Sequence, residues 1–416
     1  MSFFVYGGRA LRGEIVAQGA KNAALPILFA TLLAKEAVTL YGVPCIGDVQ
    51  SALSILREMG VAVLEEKEGG ITLLSDKASP PTPMLEAVTR IRASAYLLGA
   101  SLARFGEGHI AYPGGCAFGN RPLDYHREGL SRLGALWEEN ENGVCVRWGK
   151  PRAASYVLPY PSVGATVNYI LAALGVDGES TLGGYAKEHH VFDFIAFLRK
   201  MGAEIYADGE LLHIKGGTGL RGGEYTVCPD AMEAGTYLLA AAVTGGEVTV
   251  RRVRYAELSP LLLAFGEMNI PFRFCGDAVT VYPPQSMRGI HITASPYPGF
   301  PTDLHPPMTV LLSRARGGGS ICDLVWQDRF SYIGELRKMG ASLLRSEHAV
   351  RIFEGRLHGA SVKAPDLRGG AALLLAALAA EGKSRIDGAD VVARGYEAIT
   401  QKLFSLGAEI TCYPPL

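Results

Sequence analysis

The stretch Pro113-Gly114-Gly115-Cys116-Ala117-Phe118-Gly119-Asn120-Arg121 sets a thiol in a glycine-rich loop, five residues ahead of a guanidinium. Glycines leave the backbone uncovered and permit close approach of a ligand. A neighbouring cation lowers a thiol pKa, and a guanidinium fork also grips phosphate or carboxylate. Taken alone, the loop is ambiguous, since most single cysteines are small buried hydrophobes. Further reactive residues gather at two kinds of junction. Helix starts carry Lys21-Asn22, Arg90 with Arg92, Ser162, Glu233, Thr302-Asp303, and Asp366 with Arg368. Loops after strands carry Asp48, Cys116 with Arg121, Lys187-Glu188, Arg251 with Arg252 and Arg254, Asp328-Arg329, and Arg394. Helix N-termini add amides and a positive dipole end for an anion. Gathering Lys21, Arg92, Arg121, Arg329, Arg368 and Arg394 in a chain whose formal net charge is -1 points to a small, strongly anionic substrate. Asp303 has two readings, a member of that site or a cap for the helix after Pro301-Thr302.

An internal repeat positions these residues. An amphipathic stretch ends in Gly60, Gly134, Gly202, Asn269, Gly340 and Gly407, at separations of 74, 68, 67, 71 and 67 residues. Glycine and asparagine both adopt a left-handed C-cap, so the single asparagine supports one shared geometry. Ahead of each lies an apolar helix, expected at 23–34, 93–105, 163–175, 232–244, 308–315 and 370–380. Being apolar all round, these helices should be buried. A short strand follows each, at 37–41, 109–112, 180–182, 247–250, 320–322 and 384–386. Six such units predict an α/β fold of two domains with three repeats each, helices inside and sheets outside. The strand pair at 4–6 and 13–17 has no helix before it and would complete the C-terminal domain. The expected domains are 21–228, and 1–20 with 229–416, with the site in the cleft between them.

Bulk properties narrow the class. The 416 residues exceed one ordinary core, and 48% apolar with 19% charged residues is a globular composition. Near-neutral charge argues against a nucleic-acid or membrane-surface binder. Seven cysteines without a CxxC pair suggest free thiols in a reducing compartment. The amino terminus lacks the basic and apolar regions of a secretion signal, and the longest apolar run is about half of a membrane span. A cytoplasmic protein is expected. No dinucleotide fingerprint, phosphate loop or HExxH zinc motif is present, and His189-His190 is adjacent rather than i, i+4. No metal and no cofactor are expected.

The chain resembles the UDP-N-acetylglucosamine enolpyruvyl transferases of bacterial cell-wall synthesis. Gly19-Ala20-Lys21-Asn22-Ala23-Ala24-Leu25-Pro26 resembles the family's opening signature. Arg92-Ala93-Ser94, the Cys116 loop, Arg121-Pro122-Leu123-Asp124, Ser162-Val163-Gly164-Ala165-Thr166 and Phe300-Pro301-Thr302-Asp303 follow in family order. Asp328-Arg329-Phe330, Asp366-Leu367-Arg368 and Arg394-Gly395-Tyr396-Glu397 complete the series. The resemblance covers essentially the whole chain and implies two inside-out α/β barrel domains of three repeats. It implies transfer of the enolpyruvyl group of phosphoenolpyruvate to the sugar 3-hydroxyl of UDP-N-acetylglucosamine, with release of phosphate. In that family Cys116 would be the mobile-loop acid, open to alkylation by fosfomycin, and Asp303 the base near the sugar hydroxyl. Lys21, Arg92, Arg121 and Arg394 would hold the phosphate, and Arg329 with Arg368 the carboxylate. Asn22 would orient the sugar, Asp124, Ser162, Val163 and Gly164 would line the nucleotide pocket, and Val325 would contact substrate. The two substrates are the partners implied; no nucleic acid, membrane or obligate protein partner is.

The sequence departs from the family pattern at Gly47, Tyr160, His190, Ala231 and Gln327-Asp328. Most of these border the expected nucleotide-sugar site or the domain contact. Two alternatives therefore stay open, a transferase for another nucleotide sugar and a weakly active nucleotide-sugar-binding paralogue.

Overall fold

A computed structural model describes residues 1–66, 69–81, 88–89, 91–112, 122–326 and 328–414. The six apolar stretches form the inner helices Lys21–Ala30, Leu97–Phe105, Val163–Leu174, Ala231–Thr244, His305–Arg314 and Leu367–Ala379. Backbone contacts divide the chain into two units, one of residues 1–18 with 229–414, the other within 19–228.

In the first unit, Ala231–Thr244, His305–Arg314 and Leu367–Ala379 pack on one another. Leu367 through Leu378 are all buried, so that helix has no face for water. Three four-stranded sheets share one plan. The strand after the inner helix takes a parallel edge partner on one side and an antiparallel hairpin on the other. Glu247–Arg251 pairs in parallel with Arg12–Val16, and Gly319–Asp323 with His291–Ala294. Lys383–Asp387 pairs in parallel with Ser361–Lys363 and antiparallel with Ser2–Tyr6, which also pairs with Glu409–Tyr413. The amino-terminal strand thus fills the place that a hairpin strand occupies in the other two sheets. The first two strands, expected as a pair, enter different sheets.

The second unit repeats the plan. Gly178–Gly183 has Ser155–Val157 as parallel neighbour, and Val38–Tyr41 has Gly223–Thr226. Glu107–Ile110, Gly143–Trp148 and Ala135–Asn140 form the third sheet. Leu97–Phe105 packs against both other inner helices. Its start is a 3-10 turn, Arg92–Tyr96, rather than the continuous helix expected. His305–Arg314 begins three residues earlier than expected, because Pro306 and Pro307 occupy a first turn where a missing N–H costs nothing.

The C-cap prediction can be read directly. Gly60, Gly134, Gly202, Asn269, Gly340 and Gly407 all have positive φ, between 60° and 98°. Adding a methyl group at Gly407 meets no atom within 4 Å, whereas at Gly134 it would lie 1.9 Å from the Lys150 carbonyl oxygen.

Buried polar side chains tie helices together within the second unit. Asn168 Nδ2 contacts Nδ1 of buried His126 at 2.7 Å and the Ala95 carbonyl at 2.9 Å. Its Oδ1 accepts from Gly99 N at 2.7 Å. An amide donor leaves His126 Nδ1 as acceptor, so the imidazole is neutral. Burial, with Arg92 nearby, pushes its pKa down to about 3.

Two predictions follow from these positions. Gly407→Ala should cost about 1 kcal/mol from φ alone, Gly134→Ala clearly more, and Asn269→Gly about nothing, as read from urea unfolding midpoints. Equal costs for the two alanine variants would contradict the C-cap account. Because folded His126 refuses a proton that the unfolded chain accepts, stability should fall as pH drops from 6.5 toward 3. The slope is about 1.4 kcal/mol per pH unit from this group. His126→Gln should flatten that part of the profile for the 19–228 unit; an unchanged slope would contradict a neutral buried imidazole.

Candidate active site

Asp303 sits in the 3-10 turn Thr302–Leu304 that leads into the His305–Arg314 helix. Its carboxylate makes no cap. Instead Oδ1 lies 2.8 Å from Arg329 Nη2, and Oδ2 accepts from Arg368 Nη2 at 2.9 Å and Nε at 3.1 Å. Arg329 also donates from Nη1 to Thr302 Oγ1 at 3.0 Å. Both guanidiniums are nearly sealed from water, while the Asp303 side chain is 24% exposed. One carboxylate therefore faces two buried cations.

Arg368 is placed by a local device. Asp366 caps the Leu367–Ala379 helix through the amides of Arg368 and Gly369, and Ser331 donates to its other oxygen at 2.7 Å. The Arg368 guanidinium stacks over the Tyr396 ring at 5.2 Å. Burial alone would lower its pKa, but Tyr396, Asp303 and Asp230 hold it well above its ordinary value, so it stays charged. Among the described residues, buried Arg368 Nη1 has no hydrogen-bond partner. A buried guanidinium donor left open in this way suits an anion with a second acceptor.

Arg394 is half-buried after the short helix Ala389–Ala393, two residues before Tyr396. The loop beyond it is fastened from within. Gln18 donates to the Gly395 carbonyl at 3.0 Å and accepts from Glu397 N at 2.7 Å. Glu233, in turn, accepts from Gln18 N at 2.7 Å and from Lys402 at 2.6 Å. Val325 is half-buried, and its amide donates to Asp323 Oδ1 at 2.9 Å.

In the second unit, Lys21 and Asn22 open the Lys21–Ala30 helix, and Lys21 pairs with buried Asp48 at 3.1 Å. Arg92 opens its 3-10 turn and reaches the Pro122 carbonyl at 3.5 Å. Burial lowers the Arg92 pKa, with Tyr96 opposing. Exposed Asp124 begins the helix Asp124–Arg132. Ser162 caps the Val163–Leu174 helix through Ala165 N at 3.3 Å, which leaves Val163 and Gly164 in its amide-rich first turn. Gly164 is tightly packed, because a methyl group there would lie 3.0 Å from the His126 ring. Four of the departures from the family pattern fall at helix starts. Gly47, His190 and Ala231 open or nearly open helices, and Tyr160 accepts from Ser162 N at 2.7 Å.

Cys116, Arg121, Arg90 and Gln327 lie outside the described residues. Of the other thiols, Cys45 and Cys275 are exposed, because apolar sequence neighbours do not bury a residue on a loop or strand edge. Burial raises the Cys145 and Cys412 thiols. Sequence reasoning gave no role to His126, Asn168, Asp323 or His305; each is isolated in sequence from its partners. Among the described residues no group of three or more His, Cys, Asp or Glu could hold a metal ion, and no helix is long and apolar enough to cross a membrane.

Comparison with known proteins completes the description. The EPSP synthase (3-phosphoshikimate 1-carboxyvinyltransferase) family profile matches residues 5–403. The enolpyruvyl transferase NikO from Streptomyces tendae shares the fold, with a TM-score of 0.89 at 24% identity over 99% of this chain and 98% of that one. A UDP-N-acetylglucosamine 1-carboxyvinyltransferase of Thermus thermophilus is 43% identical over 98% of this chain and 95% of its own length. One of the same description from Halothermothrix orenii is 39% identical over 98% of both. Identity at this level over nearly the whole of each chain, on the enolpyruvyl transferase fold, shows that the protein belongs to the UDP-N-acetylglucosamine 1-carboxyvinyltransferase family.

Proposed function

We propose that this protein transfers the enolpyruvyl group of phosphoenolpyruvate to the 3-hydroxyl of UDP-N-acetylglucosamine and releases phosphate, the first committed step of peptidoglycan precursor synthesis, in the cytoplasm. The observation that carries the reading is full-length identity near 40% to transferases of that description. The pairing of Asp303 with Arg329 and Arg368 supports it at the level of chemistry.

In this reading the carboxylate of phosphoenolpyruvate takes Arg329 and Arg368, and its phosphate takes Lys21, Arg92, Arg121 and Arg394. Asn22 orients the sugar, Asp124, Ser162, Val163 and Gly164 receive the nucleotide, and Val325 contacts substrate. Cys116 gives its thiol proton to the methylene carbon, which makes the adjacent carbon electrophilic. Asp303 removes the proton of the sugar hydroxyl as its oxygen bonds to that carbon. The tetrahedral adduct then loses a proton from its new methyl group, back to the Cys116 thiolate, together with the carbon–oxygen bond to phosphate, restoring the double bond in the product ether. The guanidiniums offset the charge of the leaving phosphate.

The ligand-free pairing gives Asp303 a second property. A carboxylate held by two cations is a poor base. An arriving substrate carboxylate competes for the same donors and frees Asp303 to accept a proton. Base strength then appears only with substrate in place.

Phosphate release with phosphoenolpyruvate and a set of UDP-sugars tests the assignment. UDP-N-acetylglucosamine should be the preferred acceptor, and mass spectrometry should show it gaining the enolpyruvyl group. A faster reaction with another UDP-sugar would reassign the acceptor, and no release with any would remove the activity. Asp303→Asn should lower kcat by about 10²-fold or more, while UDP-N-acetylglucosamine affinity stays within a few-fold. Wild-type turnover in this variant would exclude Asp303 as base.

A further inference from the structure

Behind Asp303 runs a second line of buried polar groups that no step of the transfer reaction uses. Thr302 Oγ1 donates to Asp323 Oδ2 at 2.6 Å, and His305 Nδ1 contacts the same oxygen at 2.9 Å. The amides of Val325 and Trp326 donate to Asp323 Oδ1, both at 2.9 Å. On the far side, His305 Nε2 lies 2.7 Å from Tyr332 Oη, which lies 2.8 Å from Thr309 Oγ1. His305 and Asp323 have no exposed side-chain surface. Phe330 and Tyr332 rings close edge-on against the imidazole at 4.8 and 5.6 Å.

Donor chemistry sets the direction of the bonds around Asp323. A guanidinium only donates, so Thr302 accepts from Arg329 and must spend its own proton on Asp323. Asp323 then receives four donors and is a carboxylate. His305 completes the set by donating from Nδ1, leaving Nε2 to accept from Tyr332. Thr309 Oγ1 reaches both Tyr332 Oη at 2.8 Å and the His305 carbonyl at 3.2 Å. The pKa directions agree. Burial holds the His305 imidazole below its ordinary value despite Asp323 beside it. Burial alone would raise Asp323, but the hydrogen bonds from His305, Thr302 and Trp326 hold it low.

We propose that His305 and Asp323 are positioning residues for enolpyruvyl transfer: through Thr302 they fix the guanidinium of Arg329 against Asp303. The proposal rests on the reading of Arg329 as a carboxylate-binding group. Without the Asp323 carboxylate, the Thr302 hydroxyl has no fixed acceptor, and Arg329 loses the lateral bond that sets its fork. The mechanism needs the fork in place before substrate arrives, because the carboxylate must meet donors already aimed.

The test pairs His305→Leu, which removes both bonds, with His305→Gln, which can donate to Asp323 and accept from Tyr332. His305→Leu should raise KM for phosphoenolpyruvate about tenfold or more and lower kcat. UDP-N-acetylglucosamine affinity without phosphoenolpyruvate should stay within about twofold, and His305→Gln should recover most of the loss. Asp323→Asn should behave like His305→Leu. A stable His305→Leu variant with unchanged KM and kcat, or equal weakening of both substrates, would overturn the proposal. Should the variants fail to fold, ¹⁵N NMR of the wild-type histidines decides. A neutral His305 with its proton on Nδ1 supports the relay; an imidazolium or an Nε2–H tautomer overturns it. Wild-type protein that releases no phosphate would refute the activity, while the tautomer still decides for or against this line of bonds.

Discussion

A helix that is apolar on every side cannot lie on a surface, and this chain contains six of them. Three must be enclosed in each unit, and each sheet covers them by facing its apolar side inward. Most of the remaining architecture follows from that requirement. Because the helix interior is mainly apolar, the charges of the site enter at helix ends and in the loops leaving the sheets. Lys21, Arg92, Asp303 and Arg368 all stand in first turns of such elements, where amides without intrahelical acceptors already favour an anion.

Bringing cations to those ends creates a second constraint. A buried guanidinium without a counter-charge costs several kcal/mol, so Arg329 and Arg368 need an anion whether or not substrate is present. Asp303 supplies it. In the proposed mechanism the same carboxylate serves stability when the site is empty and would become available as a base when a substrate carboxylate replaces it. Asp366, Tyr396 and Thr302 contact the two arginines independently of Asp303. Structure and mechanism share one set of charges.

The sequence displayed the local parts of this arrangement and concealed the distant ones. The six C-caps were legible because a left-handed residue is a property of one position, and glycine or asparagine announces it. The inner helices were legible from composition, although the start of His305–Arg314 was hidden by prolines that look like breakers and act as first-turn residues. The amino-terminal strands were expected together, yet Ser2–Tyr6 joins strands near the opposite end of the chain, which no local pattern reveals. Asp303 could be read as a cap or as a site residue, and only its distances to Arg329 and Arg368 decide against the cap. The His305–Asp323 and His126–Asn168 contacts join residues 18 and 42 positions apart, and a single histidine in a sequence carries no sign of its partner.

The central claim is that Asp303 and the substrate carboxylate compete for the same two guanidiniums. Calorimetric binding of phosphoenolpyruvate to wild type and Asp303→Asn, both without acceptor so that neither turns over, measures that competition directly. Removing the internal anion should tighten phosphoenolpyruvate binding by about tenfold, equivalent to roughly 1.4 kcal/mol. Unchanged or weaker binding would contradict the account, because it would mean that Asp303 does not occupy the donors the substrate needs.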